Sequence, residues 1–437
     1  MRYQRKKFKS NIIGEGVRMK DLNGKNIVMG LQHTFVMFGA TVLVPLLTGL
    51  NVGVTLFASG LGTLLFHIFT RFQVPVFLGS SFAFIPGIIA VSTAAGGSLA
   101  EALGGVAIAG ILYLIVAIIF RFVNPDVLHR ILPPHVTGPM IVLIGLILAP
   151  VAIKNANGTF SAAIVESIGA NGCWLIAFIT FATAVIVKIY FARIGLKFLS
   201  LLPVLLSLVI GYIISIILGV VDFSSVSEAA WFGLPGFSLP VFSVRSISII
   251  VPIAIVTIVE HFGDILAIGN VVGKDFIVKP GIHRTLLGDG LATTISALIG
   301  GPANTTYSEN TGAVALTGIY NPLIMRIAAV FAILLSFIPK FTAIISTIPA
   351  PVIGGISILL FGMISSIGIK TMVDNRVNLA EPRILIIAAV MLVLGLGDAT
   401  FGIGSFQLSG LGLAAIVGII LNLLINFKHS KQTLNTE

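Results

Sequence analysis

Runs of about twenty apolar residues recur from Ile27 to Phe427, and each is long enough to cross a hydrocarbon core of roughly 30 Å as a helix. Helix is the default for such runs, because lipid leaves the edges of an open strand without hydrogen-bond partners. Only 10% of the 437 residues are charged and 57% are hydrophobic, with a mean hydropathy of +1.09, against roughly 25% charged in an ordinary soluble domain. The chain therefore reads as an all-α polytopic membrane protein embedded in a lipid bilayer. Its single cysteine, Cys173, cannot form an intrachain disulfide and reads as a buried, inert thiol. The first apolar run is too long for a signal-peptide core and no small-residue cleavage site follows it, so it counts as span one.

Hydropathy divides the chain into fourteen segments, near 27–48, 52–70, 74–95, 101–121, 136–153, 173–190, 198–220, 246–269, 286–300, 304–319, 322–338, 343–364, 384–398 and 406–427. The net charge of +10 would suggest nucleic acid in a soluble chain. Here every lysine and arginine except Lys154, Arg245 and Lys340 falls in a tail or loop on the side of the N-terminus. That bias predicts cytoplasmic N- and C-termini in a cytoplasmic (plasma or inner) membrane and supports an even number of spans; no nucleic-acid partner is expected.

Fourteen spans divide into seven and seven, and an odd-numbered repeat returns inverted, an arrangement used by many secondary transporters. Two segments look interrupted. Span three carries "VPVFLGSSFAFIPG" from Val74 and span ten carries "GGPANTTYSENTGAVALTG" from Gly300. Corresponding Gly/Pro-interrupted segments in two halves point to a binding site near the bilayer midplane, although helices merely kinked and repaired by Ser and Thr hydroxyls would read alike.

Acidic residues inside the apolar runs are the next constraint, since a charge at the bilayer centre costs at least about 2.5 to 3.5 kcal/mol on insertion scales. Glu260 and Asp264 are four residues apart in "IVEHFGDILAIGN", on one helix face, with His261 turned about 100° away. They form a candidate proton-carrying pair, unless Asp264 only pairs with a neighbouring hydroxyl or histidine. Glu309 sits in the broken span ten, behind Asn304, Thr305, Thr306 and Tyr307. His33, in mid-span, is expected to hydrogen-bond across the bundle in a supporting role. Asp289 is either a functional acid or an interfacial cap, Asp398 more naturally a cap, and His261 structural. Phe82, Phe84 and Tyr307 lie at the breaks, where a ring can stack on a flat ligand. The sequence lacks GxxxxGK[ST], HExxH, GxSxG and any Asp-rich cation-binding motif, so an ATP-driven pump, metalloprotease or serine hydrolase lacks its chemistry. No metal or organic cofactor is expected; gradients supply the energy.

"ENTGAVALTG", Glu309 to Gly318, resembles the signature of the nucleobase-ascorbate transporters, also called the nucleobase:cation symporter-2 or xanthine/uracil permease family. "GLQHTFVMFGATVLVP" at Gly30, "GSSFAFI" at Gly79, "VEHFG" at Val259, "NTTYSENTG" at Asn304 and "IPAPVIGG" at Ile348 are similar to segments of bacterial uracil permeases. The resemblance implies fourteen spans in two inverted seven-span repeats, with short strands before half-helices in spans three and ten. After a cytoplasmic N-tail (1–26), a core domain would comprise 27–121 and 246–338 and a gate domain 122–220 and 343–427, with a cytoplasmic C-tail (428–437) and homodimers formed through the gate.

It further implies that Glu260 and Glu309 accept hydrogen bonds from the base and that backbone N–H groups near Phe84 and Ser308 hold its carbonyls. Ala83, Tyr307 and Asp264 would complete the substrate site, and His33, Asn310 and Asp289 would join the three acids in proton coupling and support. The implied activity is proton-coupled uracil import, with xanthine or another purine as the alternative cargo and a channel or membrane-embedded enzyme as rival classes. Two positions depart from the uracil pattern: Asp264 stands where histidine is usual and Ser308 where glycine is.

Overall fold

The computed structural model describes residues 23–122, 131–404 and 406–433. The basic tail through residue 22 and Arg130 lie outside the described residues. Among those described, seven helices are long and apolar enough to cross a membrane. They are α1 (Gly24–Thr48), α2 (Val52–Phe69), α4 (Leu99–Phe122), α5 (Pro134–Ala156), α6 (Ala162–Arg193), the pair α9 (Val244–Ile250) with α10 (Ile253–Val272), and α15 (Ala350–Asp374). Shorter apolar helices accompany them: α3 (Ile85–Ser92), entered through a 3-10 turn at Phe82–Phe84, α7 (Pro203–Ile217), α16 (Pro382–Leu396) and α17 (Gly410–Thr433). The remaining helices are α8 (Ser224–Glu228), α11 (Ile282–Leu298), α12 (Ser308–Thr317), α13 (Pro322–Ser336) and α14 (Pro339–Ser346).

Local chemistry places the ends. The Asn51 side chain caps α2 by accepting from Val54 N–H at 3.0 Å, and Asn321 caps α13 by accepting from Leu323 N–H at 2.9 Å, the usual work of an N-cap amide. Several predicted boundaries move. α6 begins at Ala162, well before 173, because the chain continues helically on both sides of a break at Gly169, whose φ of 71° suits glycine alone. Segment 322–338 does not end in a loop: α13 and α14 meet at 87°, since Pro339 cannot extend the preceding helix and opens a new one. Segment 406–427 opens as strand. There β3 (Thr400–Ile403) and β4 (Phe406–Ser409) form an antiparallel hairpin before α17.

The helices pack in two groups. α11 lies along α4 and α2, and α13 along α2 and α1; α15 lies along α5 and α6, and α16 along α17. Gly110 of α4 and Gly290 of α11 meet face to face. A Cβ on Gly110 would come 2.9 Å from the Gly290 carbonyl, and one on Gly290 would come 3.0 Å from the Gly110 carbonyl, so only small residues let these backbones approach.

α2 and α4 end, and α11 and α13 begin, at the same end of this group, which gathers Arg71, Arg284 and Arg326 there. There the Arg284 Nη1 donates to Phe69 O at 3.3 Å and the Arg326 guanidinium lies 4.8 Å from the Phe72 ring. At the opposite end runs the extended connection from α8 to α9.

The candidate functional site

Two three-residue strands form the centre of the site. β1 (Leu78–Ser80) and β2 (Asn304–Thr306) pair antiparallel, with Leu78 opposite Thr306, Gly79 opposite Thr305 and Ser80 opposite Asn304. The register continues one step further, where Ser81 N–H donates to Ala303 O at 2.9 Å. So short a ladder survives because helices brace both strands. On the β1 side Leu78 N–H donates to Thr63 Oγ1 at 2.8 Å, His67 Nε2 donates to Val76 O at 2.9 Å, and Ser80 Oγ donates to Thr41 O at 2.7 Å. On the β2 side Asn304 N–H donates to Thr293 Oγ1 at 3.2 Å, and Thr293 Oγ1 donates to Asn304 O at 3.0 Å. Backbone groups that would be costly to bury unpaired are thereby satisfied by the Thr63 hydroxyl and the His67 ring of α2 and the Thr293 hydroxyl of α11, while α1 holds the Ser80 side chain through the Thr41 carbonyl.

The antiparallel register sends α3 and α12 away from this ladder in opposite directions. Both helix N-termini, at Phe82–Phe84 and at Ser308–Asn310, therefore converge on the strand pair from its two ends. The first N–H groups of a helix have no intrahelical partner and carry partial positive charge. The predicted backbone donors near Phe84 and Ser308 belong to these two termini.

α10 packs against α12 and β2 and brings the acids of span eight to the same place. Glu260 is partly buried, its Oε2 lacks a hydrogen-bond partner among the described residues, and it lies within electrostatic range of Asp264, Glu309 and Asp289. Asp264 is buried and accepts from Thr306 Oγ1 at 2.9 Å. The hydroxyl partner entertained from sequence alone is thus present, and it comes from the strand preceding Glu309. Glu309 itself sits in the first turn of α12, where a carboxylate is favoured by the helix dipole.

Other predicted residues take different places. Asp289 is fully buried in the middle of α11, so the interfacial-cap reading is corrected: His261 Nδ1 lies 3.1 Å from its Oδ2, and His261 Nε2 is 3.0 Å from Thr285 Oγ1. His261 is structural in that sense, clamping α10 to α11. His33 is buried, but neither ring nitrogen has a hydrogen-bond partner among the described residues; the predicted cross-bundle bond is absent.

Tyr307 is buried with its hydroxyl donating to Ser80 O at 3.0 Å, and its ring occupies the space a side chain at Gly79 would need. It bridges the two strands and does not present a free face for stacking. Phe84 and Ala83 are likewise buried, which leaves only their backbone to offer. Phe82 is half-buried and packs edge-on to Phe361, centroids 6.3 Å apart. Asn310 Nδ2 donates to Pro75 O at 2.9 Å, fastening α12 to the approach of β1. Asp398 follows α16 with a φ of 47°.

Sequence reasoning missed the bracing hydroxyls Thr63 and Thr293 and the ring of His67; their signal was polarity inside apolar helices. Two cavities of about 300 and 290 Å³ open at the arginine-rich end, around Lys274–Phe276, and include neither Glu260 nor Glu309. Among the described residues no cluster of His, Cys, Asp and Glu could hold a metal ion.

This arrangement can accept hydrogen bonds through two carboxylates and donate them through two helix N-termini, which suits a small neutral molecule with both donors and acceptors. Comparisons with known proteins point the same way. A family model described as a permease family, the xanthine/uracil permeases, matches residues 24–403. A uracil permease of Bacillus caldolyticus is 45% identical over 414 residues, covering 92% of this chain and 92% of the relative. One from Bacillus subtilis is 42% identical over 420 residues, covering 94% and 95%. Among solved structures, that of SLC26A9 superposes with a TM-score of 0.66 at 15% identity, covering 94% of this chain and 66% of that longer one, just under two-thirds. At that identity the likeness speaks for the helical fold alone.

Proposed function

Because the chain belongs to the permease family of xanthine and uracil transporters, the nucleobase-ascorbate transporters, we propose that it is a secondary active importer of uracil, coupled to protons. The chain is a transporter and not an enzyme, as its relatives are permeases. The observation that carries the uracil reading is the meeting of α10 and α12 beside the strand pair, with Glu260 and Glu309 within electrostatic range of one another. Uracil presents two N–H donors and two carbonyl acceptors in one plane. Two carboxylates and the N–H groups at the starts of α3 and α12 would satisfy all four, which matters because each buried polar group left unpaired costs about 1 to 3 kcal/mol.

In this reading the fourteen predicted segments are membrane spans in two inverted repeats. The strand-and-half-helix units at β1–α3 and β2–α12 are the broken spans three and ten. The group built on α2, α4, α11 and α13 is the core, and the group built on α5, α6, α15 and α16 is the gate, through which two copies pair. The arginine-rich end faces the cytoplasm. Glu309 or the Glu260/Asp264 pair takes a proton from outside, the neutral loaded core changes sides, and loss of the proton inside releases the base. Asp289, with His261, and Asn310 hold the elements that carry these acids, and His33 supports α12 by packing. One proton moving down 100 mV supplies about 2.3 kcal/mol, roughly fifty-fold accumulation.

The deciding experiment is uptake of radiolabelled uracil by cells or vesicles. Glu260→Ala and Glu309→Ala should each abolish uptake while the protein remains in the membrane; normal uptake by either refutes the assignment. A second reading is xanthine or a related purine: in the family resemblance an acid at the position of Asp264 is the type of purine-carrying members, while Glu309 stands where those members tend to have glutamine. Competition of uracil uptake by xanthine, guanine and uric acid separates the two.

A further inference from the structure

The connection between α8 and α9 is uncharged from Ala229 to Val244 and is rich in large apolar side chains. It is nevertheless laid open on the surface: Trp231 is 67% exposed, Phe232 82%, Leu234 77% and Leu239 80%. A loop in bulk water carries polar turn residues, and a patch of this size on a soluble surface marks a binding face.

The segment is also held in a defined path. Lys340 N–H donates to Ala230 O at 3.0 Å, Gly233 N–H to Phe337 O at 3.2 Å, Ser238 N–H to Ile299 O at 3.2 Å, and Val241 N–H to Ala100 O at 2.8 Å. These contacts pin it across the ends of α14, α13, α11 and α4, the end opposite the arginines. Its own backbone is thus bonded to the bundle while its side chains are left outside.

Charge placement names what covers them. Lys340 and Arg245 are two of the three basic residues that break the sidedness of the sequence, and both lie beside this strap, in α14 and α9. The Lys340 ammonium lies 4.9 Å from the Trp231 ring, and Arg245 follows the strap directly, donating from Nη1 to Ala95 O at 3.2 Å. Tryptophan with flanking lysine and arginine is the composition of a membrane–water interface, the ring at headgroup depth and the cations beside phosphate. Leu334, in the last turn of α13 just before the Phe337 carbonyl that holds Gly233, is exposed as well.

We propose that residues 230–242 are an interfacial anchor, lying in the headgroup–acyl boundary of the lipid leaflet at this end and fixing the depth at which α4, α11 and α13 sit. This goes beyond the transport reading and does not depend on which base is carried.

The chain has two tryptophans, Trp174 and Trp231, so Trp174→Phe makes Trp231 the sole indole. In the full-length protein in phospholipid nanodiscs, its emission should be blue-shifted from that of tryptophan in water. A spin label high on the acyl chain should quench it about twofold more strongly than one near the chain's methyl end, the depth order of an interfacial ring, and aqueous iodide should quench it little. Adding Leu234→Glu and Leu239→Glu should shift the emission to the red and lose the lipid-borne quenching, with radiolabelled uptake confirming a folded protein. Water-like emission with full iodide quenching in the parent overturns the proposal. So does shielding from both quenchers that disappears on dilution to one copy per nanodisc, which would assign the face to a second copy of the chain.

Discussion

At the scale of single residues, each acid of the candidate site has a different neighbourhood. Asp264 accepts from Thr306, so the state of the span-eight acid is tied mechanically to the strand that leads into Glu309. Thr306→Val keeps the shape and removes the donor, at a cost of about 1 to 3 kcal/mol for a buried carboxylate deprived of one partner. Initial uptake should fall about tenfold or more, and Thr306→Ser should recover most of it. The buried His261 and Asp289 pair makes a second prediction. Removing one partner of such a pair typically costs about 3 to 5 kcal/mol, more than replacing both by apolar groups. In thermal melts, His261→Phe and Asp289→Leu should each destabilise strongly, and the double variant should melt above the sum of the two losses. Strict additivity would show that the 3.1 Å approach contributes nothing.

At the scale of elements, much was legible because the governing signals are local. Glycine and proline at Pro75, Gly79, Pro86, Gly300 and Pro302 announced the irregular backbone on either side of β1 and β2, and Glu260 with Asp264 announced a polar helix face. What was not legible depends on partners far apart in the chain. Nothing near His261 says that it meets Asp289, and nothing near Tyr307 says that its ring fills the space over Gly79. Of the hairpin, β3 fell in the gap between segments 384–398 and 406–427, and β4 hid at the head of the second because periodicity over four residues cannot separate strand from buried helix. Since the Tyr307 ring closes over Gly79, Gly79→Ala should force the strands apart and abolish uptake, with a lowered melting temperature. Gly290→Leu should likewise separate α4 from α11, and overpacking of this kind costs about 1 to 3 kcal/mol or more; a detergent-solubilised melt that matches the parent would contradict the close approach.

At the scale of the whole molecule, sidedness and coupling are open to direct measurement. In a Cys173→Ser background, a cysteine at Asn375 should react with a membrane-impermeant maleimide only from the cytoplasmic side, and one at Ser225 only from outside. Uracil should accumulate against its gradient and lose that accumulation with a protonophore; uptake that merely equilibrates would indicate a channel.

The bracing of the strand pair limits how such a machine can move. With Thr63 and His67 gripping one strand and Thr293 the other, neither can slide or peel without stranding carbonyls and amides in a dry interior. If the protein works as proposed, exposure of the acids to one face of the bilayer and then the other would come from displacement of α2, α11 and the strand pair as one piece, with the slippage confined to the contacts of α1 with α7 and of α10 with α5 and α17.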